Sequence, residues 1–133
     1  MAGFLLSVAL VAVIPQGAHA ARPREVRFAG MVNDTRATAL LPPLDLKERL
    51  SDIARKHSRR MAERGAVYHS NVERLLNGSV AENVGSGNSL DGLLQAFLAS
   101  PGHAQNILGS FTRTGVGVVR SDGRLWITQV FAA

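Results

Sequence analysis

The chain has no cysteine in its 133 residues, which excludes disulfide scaffolds, thiol catalysis and cysteine-based zinc sites. Aromatic residues are scarce: five Phe, one Trp and one Tyr. They do not interleave with basic residues as base stacking requires, so no specific nucleic-acid partner is expected. Acidic residues are also in deficit, 10 against 15 Lys and Arg, giving a formal net charge of +5. Only one apolar run is long, Phe4 to Ile14, interrupted by Ser7 alone. It is about half the roughly 20 residues that a membrane-spanning helix needs, so no transmembrane segment is expected in the mature chain.

That run is followed by Ala18-His19-Ala20, a small-x-small pattern. Together they read as a secretory signal over residues 1–20, cleaved near Ala20. The protein is therefore expected outside the cell or in the cell envelope. Residues 21–27, with Pro23 and three Arg, read as an exposed lead-in, leaving a single domain over 28–133. An apolar fraction of 46% and a charged fraction of 19% place the chain among globular proteins rather than disordered ones. With no cross-link available, stability must come from packing.

The positive charge is densest at Arg55, Lys56, Arg59, Arg60 and Arg64. Asp52 and Glu63 stand three and four residues from these cations, a spacing that pairs opposite charges on a helix surface. The cluster reads first as a solvated helix face and second as a footprint for a polyanion. The helix carrying it is marked by Leu46, Leu50, Ile53, His57 and Met61 at three- and four-residue steps, and Gly65 supplies its stop. On that stripe, His57 reads as a hydrogen-bonded core histidine. An earlier helix is expected from Phe28 to Ala39, with Phe28, Val32 and Leu40 inward. It ends before Pro42-Pro43, because a residue preceding proline avoids helical angles.

Residues 66–89 are rich in Asn, Ser and Gly and read as a long irregular loop, which in a compact domain is functional or conceals structure. Leu90, Leu93, Leu94, Phe97 and Leu98 then follow the spacing of an amphipathic helix, capped by Ser89. Ser100-Pro101-Gly102-His103 restarts the chain as a short helix with Ser as N-cap and Pro first. His103 lies in its first turn, where the helix dipole should keep the imidazole neutral and able to take a proton or a metal. Residues 115–120 and 125–131 flank Ser121-Asp122-Gly123-Arg124 and form a C-terminal hairpin. One hairpin face carries Val116, Val118, Leu125, Ile127 and Phe131; the other carries Val119, Trp126 and Val130. A sheet apolar on both faces must be covered on both, which predicts an α+β fold: a three-layer α-β-α sandwich around a small, mainly antiparallel sheet.

The order of these pieces resembles the CAP superfamily of cysteine-rich secretory proteins, antigen 5 and pathogenesis-related 1 proteins, in its short cysteine-free bacterial branch of SCP-like extracellular proteins. The resemblance rests on Asn33-x-x-Arg36, Pro43-Leu44, Ala54-x-x-His57-Ser58-x-x-Met61-Ala62 and His69-Ser70. It continues through Glu82-Asn83-Val84, Ser100-Pro101-Gly102-His103-x-x-Asn106-Ile107-Leu108, Gly115-Val116-Gly117-Val118 and Trp126-x-Thr128-Gln129-x-Phe131. It implies the same sandwich with a surface cavity lined by histidine and glutamate. By position, His69 and Glu82 match the family's cavity pair, and His103 matches the bacterial branch's histidine after Ser-Pro-Gly. The eukaryotic family's second glutamate and second histidine have no counterparts, so cavity chemistry rests on His69, Glu82 and His103.

Two imidazoles and a carboxylate are competent ligands for a divalent metal such as zinc, with a position left for water. Three functions remain open. The leading one is a secreted, monomeric, non-enzymatic module that binds a small apolar or lipid-like ligand, a cell-surface component or another protein. The second is a metal-assisted hydrolase at the cell envelope, with Glu82 as general base. The third is a purely structural extracellular domain in which the His and Glu side chains pin the long loop. No serine nucleophile stands out.

Overall fold

The structure is a computed structural model that describes residues 22–133. The expected signal and its cleavage point lie outside the described residues. Among the described residues, no helix is long and apolar enough to cross a membrane.

Among the described residues nine elements follow one another: α1 (Pro23–Thr38), β1 (Asp45–Leu46), α2 (Glu48–Arg64), α3 (Val72–Leu75), β2 (Val80–Gly87), α4 (Leu90–Ala99), α5 (Pro101–Ile107), β3 (Arg113–Ser121) and β4 (Arg124–Ala132). The sheet has the order β1-β3-β4-β2, with only the short β1 parallel to its neighbour. The hairpin closes at Asp122-Gly123, both left-handed (φ 48° and 75°), as a tight two-residue turn requires.

Both sheet faces are covered, as the hairpin pattern predicts. Val116, Val118, Leu125, Ile127 and Phe131 share one core with Phe28 and Val32 of α1, Leu93 and Phe97 of α4 and Ile107 of α5. On the other face Val130 packs with Leu50 and Ala54 of α2, and Trp126 with Met61. The chain is thus a three-layer α-β-α sandwich.

Three expectations need correction. First, α1 starts at Pro23, so residues 23–27 are helix rather than lead-in. Glu25, the third residue of the helix, is fully buried and accepts from the Arg22 amide. Second, Leu40 points to solvent at 93% exposure. It occupies the left-handed position that ends α1 (φ 59°), and the Leu41 and Leu40 amides bond back to the carbonyls of Arg36 and Ala37. Third, residues 66–89 hold α3 and the eight-residue strand β2. Gly85 and Gly87 leave room there for Phe97 and Leu93, whose side chains would lie 3.0 and 3.2 Å from any added Cβ. Such residues have poor strand propensity, so β2 exists because β4 and α4 pack against it.

The free edge of β3 is sealed by side chains. Ser51 Oγ accepts from the Val116 amide at 3.1 Å, and Glu25 Oε1 from the Val118 amide at 3.5 Å. Unpaired strand amides otherwise invite association with a second chain.

Candidate functional site

The motif residues divide into those that hold the fold and those that meet at a surface. Asn33 and Arg36 belong to the first group. Three residues apart on one side of α1, they pin the following turn and the α5–β3 connection. Asn33 exchanges two hydrogen bonds with the Leu44 backbone (2.8 and 3.0 Å). The buried Arg36 guanidinium donates to the carbonyls of Pro42, Ile107 and Gly109, each at 2.9 Å, and to that of Phe111 at 3.5 Å. Burial pulls its pKa down. Asn83 and Asn106 likewise join β2 to α5: Asn106 Nδ2 donates to Asn83 Oδ1, and Asn83 Nδ2 donates to the His103 carbonyl. Ser58 Oγ bonds the Gly117 carbonyl and Thr128 Oγ1, each at 2.9 Å.

His57 takes the role its position in the stripe suggests. It is buried, its Nε2 lies 2.6 Å from the Tyr68 carbonyl oxygen, and its ring packs edge-on against Tyr68. The loop after α2 is therefore drawn back over the helix, which brings Tyr68, His69 and Ser70 to the surface beside it.

His69 and Glu82 do come together. His69 Nδ1 stands 3.0 Å from Glu82 Oε1, which also accepts from the Ser70 amide at 2.8 Å. Ser70 Oγ donates to Glu82 Oε2. The Glu82 carboxylate is buried while the His69 ring is largely exposed. His103 makes no side-chain hydrogen bond with either among the described residues; its ring centroid lies 4.8 Å from that of Phe97. Desolvation lowers its pKa, and the His69 charge lowers it further. Burial and a neighbouring imidazole thus act in the direction the helix dipole predicts, toward a neutral ring. Ser100 does occupy the N-cap of α5, but its side chain makes no capping bond, whereas Ser89 accepts from the Gly92 amide at 3.0 Å.

A metal does not fit these residues as they stand. Both Glu82 oxygens already accept protein donors, and the inward nitrogen of His69 is spent on Glu82. Among the described residues, no three of His, Asp and Glu are grouped so that they could hold an ion. Zinc ligation by His69, Glu82 and His103 would require this network to be dismantled.

Beside the His69–Glu82 pair, the surface opens into a groove of about 840 Å³ between α2 and residues 68–75. Ile53, Leu75 and the Tyr68 ring provide its apolar wall. Lys56, Arg60, Arg64 and Arg74 provide its rim, and no carboxylate lines it. Arg64 lies 5.0 Å from the centre of the Tyr68 ring, a cation–π contact that orients both.

Among the described residues these four cations form no ion pair, and one buried arginine takes three of the acids around α2. Arg55 Nε lies 2.8 Å from Glu25 Oε1, and its two terminal nitrogens bind Asp52 and Glu48. Burial lowers the Arg55 pKa, but hydrogen bonds and charge from Glu48 and Glu25 outweigh it and leave the pKa raised. Glu63, expected to neutralise Arg59 and Arg60, forms no ion pair among the described residues. The basic face of α2 is thus less neutralised than its sequence spacing implies. Tyr68 and Arg74 were not singled out in the sequence; the available signal was a lone tyrosine beside His69.

The sandwich, its buried Asn and Arg pins and the His–Glu pair define a CAP-type fold. The sequence profile of the cysteine-rich secretory protein family, CAP, matches residues 29–131, and the chain belongs to that family. No curated protein sequence matches it. Among solved structures it is similar to an extracellular SCP-domain protein of Bacillus anthracis (27% identity, TM-score 0.70), covering 82% of this chain and 40% of that one. It is also similar to an outer surface protein of Borrelia burgdorferi (16%, TM-score 0.71; 80% and 89% covered). A third is venom allergen-like protein 4 of Schistosoma mansoni (13%, TM-score 0.64; 84% and 88%). The chain spans about two fifths of the Bacillus protein, and the two lower identities speak for the fold alone.

Proposed function

We propose that the chain is an extracellular binding module, and that its ligand is a small amphiphile seated in the groove between α2 and residues 68–75. The single observation that carries this reading is the groove's composition: an apolar wall with an exposed Leu75 under a rim of four cations and no acid. Its volume of about 840 Å³ lies within the range of small-molecule sites. An acyl or similar stem lies over Ile53, Leu75 and Tyr68, and an anionic head meets Arg60, Arg64 and Arg74. Location outside the cell is supported by the apolar N-terminal run and by the surface or extracellular origin of the similar structures. Hydrolysis is the weaker reading, because the Glu82 carboxylate is buried, held by His69 and Ser70, and does not line the groove.

The experiment is titration with dansyl-labelled undecanoic acid, followed by its fluorescence. Saturable enhancement is expected, with affinity reduced on the order of tenfold in Arg60→Ala/Arg74→Ala. The corresponding neutral amide should bind more weakly. If the acid gives no saturable signal, or the variant binds it unchanged, the groove is not its site.

A further inference from the structure

A second concave surface lies on another side of α2. It encloses about 710 Å³ between the start of α1, α2 and the end of β3. Arg22, Arg24, Arg59 and Arg120 surround it, Pro23, Val118 and Val119 form its floor, and no acidic residue lines it. None of the four guanidinium groups is ion-paired among the described residues. Glu25, the acid nearest in sequence, is buried and turned to Arg55, while Asp91 is matched by Arg27 in an adjoining hollow that Arg24 and Arg120 also line.

The placement of these charges does not help the fold. Arg22 and Arg24 sit at the first turn of a 16-residue helix, where the dipole is already positive and cations are disfavoured. Gathering Arg59 and Arg120 around the same concavity adds like-charge repulsion. An anion in the groove would relieve both. Arginine suits this task, since its planar fork binds phosphate, sulfate or carboxylate through paired hydrogen bonds.

We propose that this groove is a docking track for a linear anionic glycan polymer, holding the module to a surface rich in such chains. The four cations are spread around an open groove far larger than one anionic group, which favours a polymer with repeated charges over a single small ion. A glycan is favoured over a nucleic acid because the groove is floored by proline and valine and has no aromatic ring for a base. This groove shares no lining residue with the amphiphile groove.

The test is calorimetric titration of the purified full chain with dextran sulfate at low and moderate salt. Neutral dextran and a single-stranded oligonucleotide of equal charge are the comparators. Dextran sulfate should bind, neutral dextran should not, and affinity should fall steeply with salt as counterions are released. Arg24→Ala/Arg120→Ala should lose on the order of tenfold, with no fall in melting temperature because both residues are exposed and their charges do not help the fold. Arg60→Ala/Arg74→Ala, in the amphiphile groove, should lose less than about threefold. The proposal is overturned if dextran sulfate does not bind, if neutral dextran binds equally, or if the larger loss falls on the Arg60/Arg74 pair. Tighter binding of the oligonucleotide overturns it in favour of nucleic acid.

Discussion

Gly117 faces the backbone of α2 so closely that a Cβ would lie 2.3 Å from the carbonyl carbon of Ala54. The same atom would lie 2.2 Å from the Arg55 amide, and a Cβ at Gly115 would strike Leu50 at 2.1 Å. The Gly-Val-Gly-Val motif is therefore a docking rail: glycines admit the α2 backbone on one face, and valines fill the core on the other. Because the clash is with backbone, no rotamer change relieves it. Gly117→Ala should cost about 3 kcal/mol or more in urea denaturation. A loss under about 1 kcal/mol would show that α2 does not rest directly on β3.

The Glu25–Arg55 pair predicts an asymmetric mutational response. Both side chains are buried, and Glu25 also accepts from the Val118 amide at the open edge of β3. Removing Glu25 leaves the buried Arg55 Nε and the Val118 amide without their acceptor, while Asp52 and Glu48 still hold the terminal nitrogens, so Glu25→Ala should cost about 3 kcal/mol. Glu25→Met/Arg55→Met should recover much of that loss, since paired apolar replacement removes the desolvation penalty. A double variant no more stable than Glu25→Ala would assign the cost to the strand edge instead.

At the end of α1, Leu40 holds a left-handed conformation that costs a branched side chain roughly 1 kcal/mol and a glycine nothing. Its side chain is exposed, so truncation forfeits no packing. Leu40→Gly should stabilise the protein by up to about 1 kcal/mol in thermal or urea unfolding, against the usual penalty for glycine. Destabilisation by a similar amount would mean that the leucine side chain makes contacts when the protein is in solution.

His103 gives the domain a pH dependence of definite sign. Its folded pKa lies below the ordinary 6.5, through desolvation first and the His69 charge second. The unfolded chain therefore takes up the proton more readily. The stabilising contribution is complete above about 6.5 and is lost as pH falls from there through the lowered folded pKa. Urea midpoints measured downward from neutral pH should decline less steeply in His103→Gln. In His69→Gln, the His103 proton titration followed by NMR should move upward. An unmoved titration would remove His69 as a cause.

What could be read in advance depended on whether the cause was local. The hairpin was legible because Asp122-Gly123 and a period-two pattern act over a few residues, and all five residues assigned to its first face meet in one core. The long helix was legible from its apolar stripe, and Gly65 ends it in a left-handed conformation (φ 64°). β2 was hidden because Asn83, Gly85 and Gly87 serve α4, α5 and β4 rather than the strand itself. The start of α1 was hidden because the partner of Glu25 lies 30 residues away. At the site, the His69–Glu82 pair came from family resemblance, since 13 residues of separation carry no geometric signal. The basic grooves were obscured for a different reason: spacing showed which charges could pair along α2, but not that Arg55 would turn inward and take three carboxylates.

Arg36 performs with hydrogen bonds a task that other small domains assign to a covalent bridge. From one helix it ties together carbonyls at Pro42, Ile107, Gly109 and Phe111, the last of them 75 residues further along the chain than Arg36. Such a clasp forms without an oxidant, an isomerase or a choice among wrong pairings. It cannot be undone by thiols, so the domain's integrity is indifferent to the redox state of its surroundings.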